Sequence, residues 1–126
     1  MEDKDGLVKI FLDLPDNEVT GGEGLWAKPV GPDLYEVRNV PFYAYDLHFN
    51  DVVQASTLGP DLKPRVVKVV RRSGHKTLRV IFPKERTEAE QSELLDQLQS
   101  LGATYERATA TYVAIDVEPT GDYQSI

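Results

Sequence analysis

At 126 residues, with 40% hydrophobic and 28% charged side chains, the chain has material for one modest core and not for two independent ones. Zero cysteines exclude disulfides, thiolate zinc sites and cysteine nucleophiles, and they suit a reducing cytoplasm. A net charge of −7 disfavours nucleic acid as the main ligand, because an acidic surface repels a polyanion at long range.

The chain opens with MEDKDGLVKI, acidic and polar where a signal peptide is basic and then apolar, and no apolar run approaches the ~18 residues of a membrane span. A soluble, cytoplasmic protein without membrane association is expected, as a single domain over residues 1–126. LVKIFLDL (residues 7–14) has β-branched and aromatic side chains in partial alternation and stops at Pro15-Asp16-Asn17, a turn signal; this is the first strand. Gly21-Gly22-Glu23-Gly24 looks like a phosphate loop, but the Lys-Ser/Thr and the helix that a P-loop requires do not follow. A flexible turn before the second strand is expected there. EGLWAKPVG (residues 23–31) and LYEVRNV (residues 34–40) flank Gly31-Pro32-Asp33, a hairpin turn, with Leu25 and Ala27 on one face and Pro29 marking an edge or bulge. After Pro41, FYAYDLHFN is an irregular aromatic connector, and DVVQAST (residues 51–57) is a short strand. PRVVKVVRR (residues 64–72) and KTLRVIF (residues 76–82) are expected to pair as a hairpin at Ser73-Gly74, where glycine supplies positive φ.

Thr87 with Glu90 three residues later makes a capping box, so the sequence predicts a helix between Thr87 and Leu101. Leu94, Leu95, Leu98 and Leu101 recur on one face, Glu88, Gln91, Asp96 and Gln99 fill the rest, and Gly102 stands at a left-handed C-cap. TYERATA (residues 104–110) and TYVAIDV (residues 111–117) follow as short strands, and EPTGDYQSI leaves room for the start of another helix. The order predicts an α+β fold: a small twisted antiparallel sheet or incomplete barrel over residues 1–75, then a strand-helix-strand-strand unit, a ferredoxin-like half, over residues 76–126.

Charge is the most informative local feature. Residues 63–86 hold nine of the fourteen basic side chains and one acid, Glu85, a net of +8 against −15 elsewhere. Such a segment is either a contact for phosphates or an acidic partner, or a solvated face opposite the chain's own carboxylates. His75 sits beside the Ser73-Gly74 turn, where a loop residue can reach a ligand. His48 and His75 are the only histidines and no H-E-x-x-H spacing exists, so no metal site is expected. A Ser73/His75 nucleophile pair lacks an acid at motif spacing to orient the imidazole. Trp26, Tyr35, Phe42, Tyr43, Tyr45 and Phe49 either fill the core or line a binding patch. Asp46 and Asp51 bracket the connector as turn caps.

The blocks Leu25-Trp26-Ala27, Tyr35, Asn39-Val40-Pro41-Phe42, Asp51-Val52-Val53, Ser73-Gly74-His75 and Leu78-Arg79-Val80 resemble the bacterial proteins grouped as domain of unknown function 4265. The resemblance spans residues 23–82, with the helix and last strands compatible. It implies a small bacterial protein with no established activity, and a further helix past the last strand that this chain is expected to lack. Some proteins of this size and acidity are immunity partners that block a toxin.

The leading expectation is therefore a non-enzymatic binding module, a protein–protein partner such as a bacterial immunity or regulatory protein, with no cofactor and no catalytic residue. Its contacts are expected from Arg71, Arg72, Ser73 and His75, with Trp26 and Tyr43, because arginine and aromatic side chains dominate interface energetics. The rival is a small-ligand domain or enzyme using His75 with Asp46 or Asp51 around an aromatic-lined pocket. A third reading is oligonucleotide binding by a small barrel.

Overall fold

The computed structural model describes residues 6–14, 22–44, 46–57 and 63–126; the turn read at Pro15-Asp16-Asn17 and the side chain of Tyr45 lie outside them. Strands β1 (Val8–Asp13), β2 (Gly22–Gly31), β3 (Leu34–Val37), β4 (Val52–Ser56) and β5 (Arg65–Arg71) close a barrel in chain order. Closure follows a parity rule: in an antiparallel meander of five strands the last runs in the same direction as the first, so one seam must be parallel. That seam is β1 with β5, where Phe11 lies opposite Arg65 and the Phe11 N–H donates to the Pro64 carbonyl at 2.9 Å. The incomplete barrel admitted by the sequence is thus a closed one.

Inward alternation builds the barrel core from Ile10, Leu25, Ala27, Val37 and Val53, and the connector adds Ala44 and Leu47. The β2–β3 register shifts between Pro29 and Gly31, the bulge that Pro29 announces, and Asp33 takes the left-handed turn position at φ 57°. On β5 the register against β4 shifts twice, skipping Val67 and Val70. β2 starts at Gly22, which corrects the expected flexible turn: Gly22, Glu23 and Gly24 are strand, opposite Asp13, Leu12 and Phe11 of β1 respectively.

The second layer is β6 (Lys76–Ile81), α1 (Glu88–Asp96), β7 (Ala103–Arg107) and β8 (Tyr112–Val117), with sheet order β6-β8-β7. Both outer strands are antiparallel to β8, so the last strand in sequence is the middle one in space. One sheet face, with Leu78, Val80, Tyr105, Val113, Ile115 and Val117, packs with Leu95 and Leu98. The opposite face carries Thr77, Arg79, Glu106, Ala114 and Asp116 toward the barrel. Covered on both sides, β8 is buried from Val113 to Val117, which is why YVAIDV reads as a nearly unbroken apolar run. The α+β class holds in the coarse sense: among the described residues, mostly strand with one short α-helix.

The expected hairpin of residues 64–72 with residues 76–82 does not form. β5 pairs with β4 and β1, β6 pairs with β8, and Ser73-Gly74 is the crossing from barrel to sheet. A tight turn redirects the chain equally well into either arrangement, and long-range partners chose this one. The helix also needs correction. Its capping box is present and Gly102 is left-handed at φ 83°, but the α-helix ends at Asp96 and continues as a 3-10 helix over Gln97–Leu101. The buried side of α1 carries Leu95 and Gln91, whose Oε1 accepts from Arg107 at 2.7 Å, and Leu94 is left 42% exposed. The room left for a terminal helix holds a 3-10 turn, Tyr123–Ser125.

Candidate functional site

Residues 38–44 and 46–51 run between the barrel and the barrel-facing side of the sheet, and their polar groups are met from both. The Glu23 carboxylate accepts from the backbone N–H groups of Phe42 (2.7 Å), Ala44 (3.0 Å) and Tyr43 (3.1 Å). The glycine-rich stretch that resembled an anion cradle thus supplies the anion, and the connector supplies the cradle. From the sheet, the Arg79 guanidinium donates to the carbonyls of Ala44 (2.7 Å), Phe42 (2.9 Å) and Pro41 (3.0 Å). The Tyr112 hydroxyl donates to the Phe42 carbonyl, and its ring lies against Phe42 and Tyr43. Glu106 accepts from the Val40 N–H at 3.0 Å, and Asn39 Oδ1 accepts from the Trp26 N–H. The block Asn39-Val40-Pro41-Phe42 is therefore the joint between two layers.

The opening of β4 and the Ser73-Gly74 crossing meet at a second cluster. Asp51 is fully buried; its carboxylate accepts from the Ser73 N–H at 2.8 Å and the His48 N–H at 2.9 Å, with Arg72 Nη1 at 3.6 Å. The Ser73 hydroxyl donates to the Phe49 carbonyl at 2.7 Å and accepts from the His75 N–H at 3.1 Å. His75 Nδ1 lies 2.9 Å from both oxygens of Asp116, with the Phe49 ring edge-on at 5.4 Å. His48 Nδ1 contacts the Thr77 hydroxyl at 2.7 Å. Burial pushes the His48 imidazole below its ordinary range, Arg72 and Arg79 adding to this and Asp51 and Asp46 opposing it. Burial likewise pushes the Asp116 carboxyl up, against the hydrogen bond from His75.

The structure brings Arg72, Ser73 and His75 together and leaves Trp26, Tyr43 and Arg71 apart from them. Arg72 is held by the Asp46 carbonyl, by the Asp46 carboxylate at 3.1 Å and by Asp51. Tyr43 packs on Tyr112, and Trp26 lies under Lys9 Nζ at 4.8 Å. The side chains of Arg71 and Lys68 are exposed on β5 and make no hydrogen bond or ion pair among the described residues. The pairing of His75 with Asp46 or Asp51 is corrected: Asp51 is occupied by amides, Asp46 by Arg72, and the acid at His75 is Asp116. Asp116, Thr77, Glu106, Arg79 and Glu23 were missed by sequence reasoning. Their partners lie 19 to 67 residues away along the chain, beyond any local pattern, though a charged residue within an apolar strand, as in YVAIDV, was a usable signal.

Among the described residues no cluster of three or more histidine and carboxylate side chains could hold a metal ion, and no helix is long and apolar enough to cross a membrane. A closed five-stranded barrel bonded through a polar joint to a three-stranded sheet defines the class of protein. The family model named Domain of unknown function (DUF4265) matches residues 23–126, and the chain belongs to that family. No curated protein matches it. Among solved structures, a hypothetical protein from Neisseria gonorrhoeae is similar, with a TM-score of 0.70 and 19% identity over 94% of this chain and 81% of that one. At that identity the likeness shows the fold alone.

Proposed function

We propose that this chain is a non-enzymatic cytoplasmic binding module, a protein partner of the kind that bacterial immunity and regulatory proteins represent. The observation that supports it is the use made of the reactive side chains. Ser73, Asp51, Arg72 and Arg79 are engaged within the fold, so the side chains suited to chemistry serve as structure, while Arg71 faces outward. An arginine presented this way, on a chain of net charge −7, suits recognition of an acidic protein surface. We take the β6–α1–β7–β8 unit, with its last strand inserted between the other two, as a ferredoxin-like half that serves as the rigid backing of the barrel. In the test, tagged protein is cross-linked in its host and purified beside an Arg71→Glu variant. One protein should be recovered in stoichiometric amount with the first and lost with the second. A monomer with no cross-linked partner, unchanged by the substitution, would count heavily against this function.

A second reading, small-ligand binding or catalysis, takes its support from His75. An imidazole oriented at Nδ1 by a largely buried acid is the arrangement of a general base, with Nε2 as the working nitrogen. Oligonucleotide binding is less well supported, because Phe42 and Tyr43 lie against Tyr112 and so are not free to stack on bases.

A further inference from the structure

β5 reads Arg65-Val66-Val67-Lys68-Val69-Val70-Arg71, a repeat of three where a regular strand alternates by two. The two bulges reconcile the repeat with the barrel. Val66 and Val69 turn inward and pack on the core, and each bulge displays one additional side chain, leaving Val67 61% and Val70 51% exposed. Beside them stand the side chains of Lys68 and Arg71, both exposed and without a hydrogen bond or ion pair among the described residues; Arg65, paired with Asp13 at 3.4 Å, extends the row. Apolar and cationic groups therefore alternate along one outward ribbon.

We propose that the ribbon Val67, Lys68, Val70 and Arg71 is a docking surface for an extended segment of another protein in which acidic and apolar side chains alternate. This rests on the binding-module reading above and names its surface and the chemistry of its partner. Charge selects the occupant. The ribbon presents the exposed cations Lys68 and Arg71 in a chain of net −7, so an acidic segment is drawn to these two side chains and disfavoured by the acidic remainder, which fixes its orientation as well as its attraction. The valines select further, because a partner bearing charge alone leaves them wet. Nucleic acid lacks apolar groups on its phosphate edge, and a symmetric second copy would set Lys68 and Arg71 against themselves.

The full chain, labelled with nitrogen-15, is titrated with a short synthetic peptide alternating Glu and Val, with its Lys–Val counterpart, with polyglutamate of equal charge and with a short DNA duplex. The Glu–Val peptide should shift amide resonances across β5 saturably, and polyglutamate should bind more weakly. Joint Lys68→Glu and Arg71→Glu substitution should weaken the peptide by about tenfold or more, and joint Val67→Ser and Val70→Ser substitution should weaken it with the charge intact. These side chains are exposed, and unchanged resonances outside β5 would confirm that each variant is folded. Saturable shifts on another surface would overturn this site and leave the binding-module reading standing. Shifts on β5 from DNA and not from the peptide, or from raising the protein's own concentration, would overturn the proposed occupant. No shift from any probe at millimolar concentration would overturn the ribbon, whereas the broader reading falls only if cross-linking in the host also yields no partner.

Discussion

At the scale of single residues, the joint shows how a buried carboxylate specifies a chain path. Asp51 accepts from an amide three residues before it and from another twenty-two residues after it, so one side chain ties the connector to the crossing between layers. The first bond is the turn cap that sequence reasoning assigned to it. The second was invisible, because nothing local in DVVQAST indicates that the acceptor has room for the Ser73 amide. Asp51→Ala leaves two donors without their acceptor, and each buried unsatisfied group costs about 1–3 kcal/mol. Urea denaturation should show a loss of about 2–5 kcal/mol for Asp51→Ala, and a smaller one for Asp51→Asn, which keeps one acceptor oxygen. An alanine variant as stable as the parent would mean that water already serves those amides.

At the scale of elements, legibility tracked the range of the interactions. The helix start was readable because both halves of its capping box lie within four residues, and Glu90 accepts from the Thr87 N–H at 3.0 Å as the pattern requires. Removing the cap by Thr87→Ala should cost about 1 kcal/mol in thermal or chemical unfolding, with the Thr87→Ser variant close to the parent. The triplet in β5 was equally local, yet it becomes meaningful only once the barrel's bulges are known. Between the connector and β6, acid should act through His48, whose surroundings include Asp46, Asp51, Arg72, Arg79, Thr77 and Asp116. Its folded imidazole binds a proton less readily than the unfolded one, so its contribution to stability is present above the unfolded value of 6.5 and is lost as pH falls through that value toward the folded one. Asp116 has the opposite sign: raised in the fold, it favours the native state below its ordinary 3.8 and gives up that contribution as pH rises through the folded value. The two groups therefore act with opposite sign on acidification. Urea midpoints should fall on acidification from about pH 7 to about pH 5.5, and His48→Gln should remove most of that fall. A variant whose midpoints follow the parent's over that interval would assign the effect to another group.

For the whole molecule, the question is what makes a barrel and a sheet unfold as one. Parity gives the barrel a parallel seam with, among the described residues, a single paired position, Phe11 opposite Arg65, so closure of the strand order adds little strand pairing there. The two apolar clusters, around Ile10 and Val53 on one side and Val113 and Val117 on the other, are distinct. What crosses between them is the joint: Arg79 on three carbonyls, Glu106 on Val40, Tyr112 on Phe42 and His48 on Thr77, with the Tyr112 ring against Phe42 and Tyr43. The sequence reading of one domain from length and composition is thus a claim about these hydrogen bonds, and Arg79→Met tests it by keeping the side chain's reach while removing every donor. Trp26, the only tryptophan, reports on the barrel from β2, and hydrogen exchange of the Val113–Val117 amides reports on the sheet from its central strand. In the parent protein the two should respond to urea together, with one midpoint. In Arg79→Met the Pro41, Phe42 and Ala44 carbonyls lose their charged donor, at about 2–4 kcal/mol, and the two signals should separate, the barrel responding first because its seam is thin. If both signals still move together in that variant, the layers are coupled by packing, and the joint's role is confined to setting the path of residues 38–51.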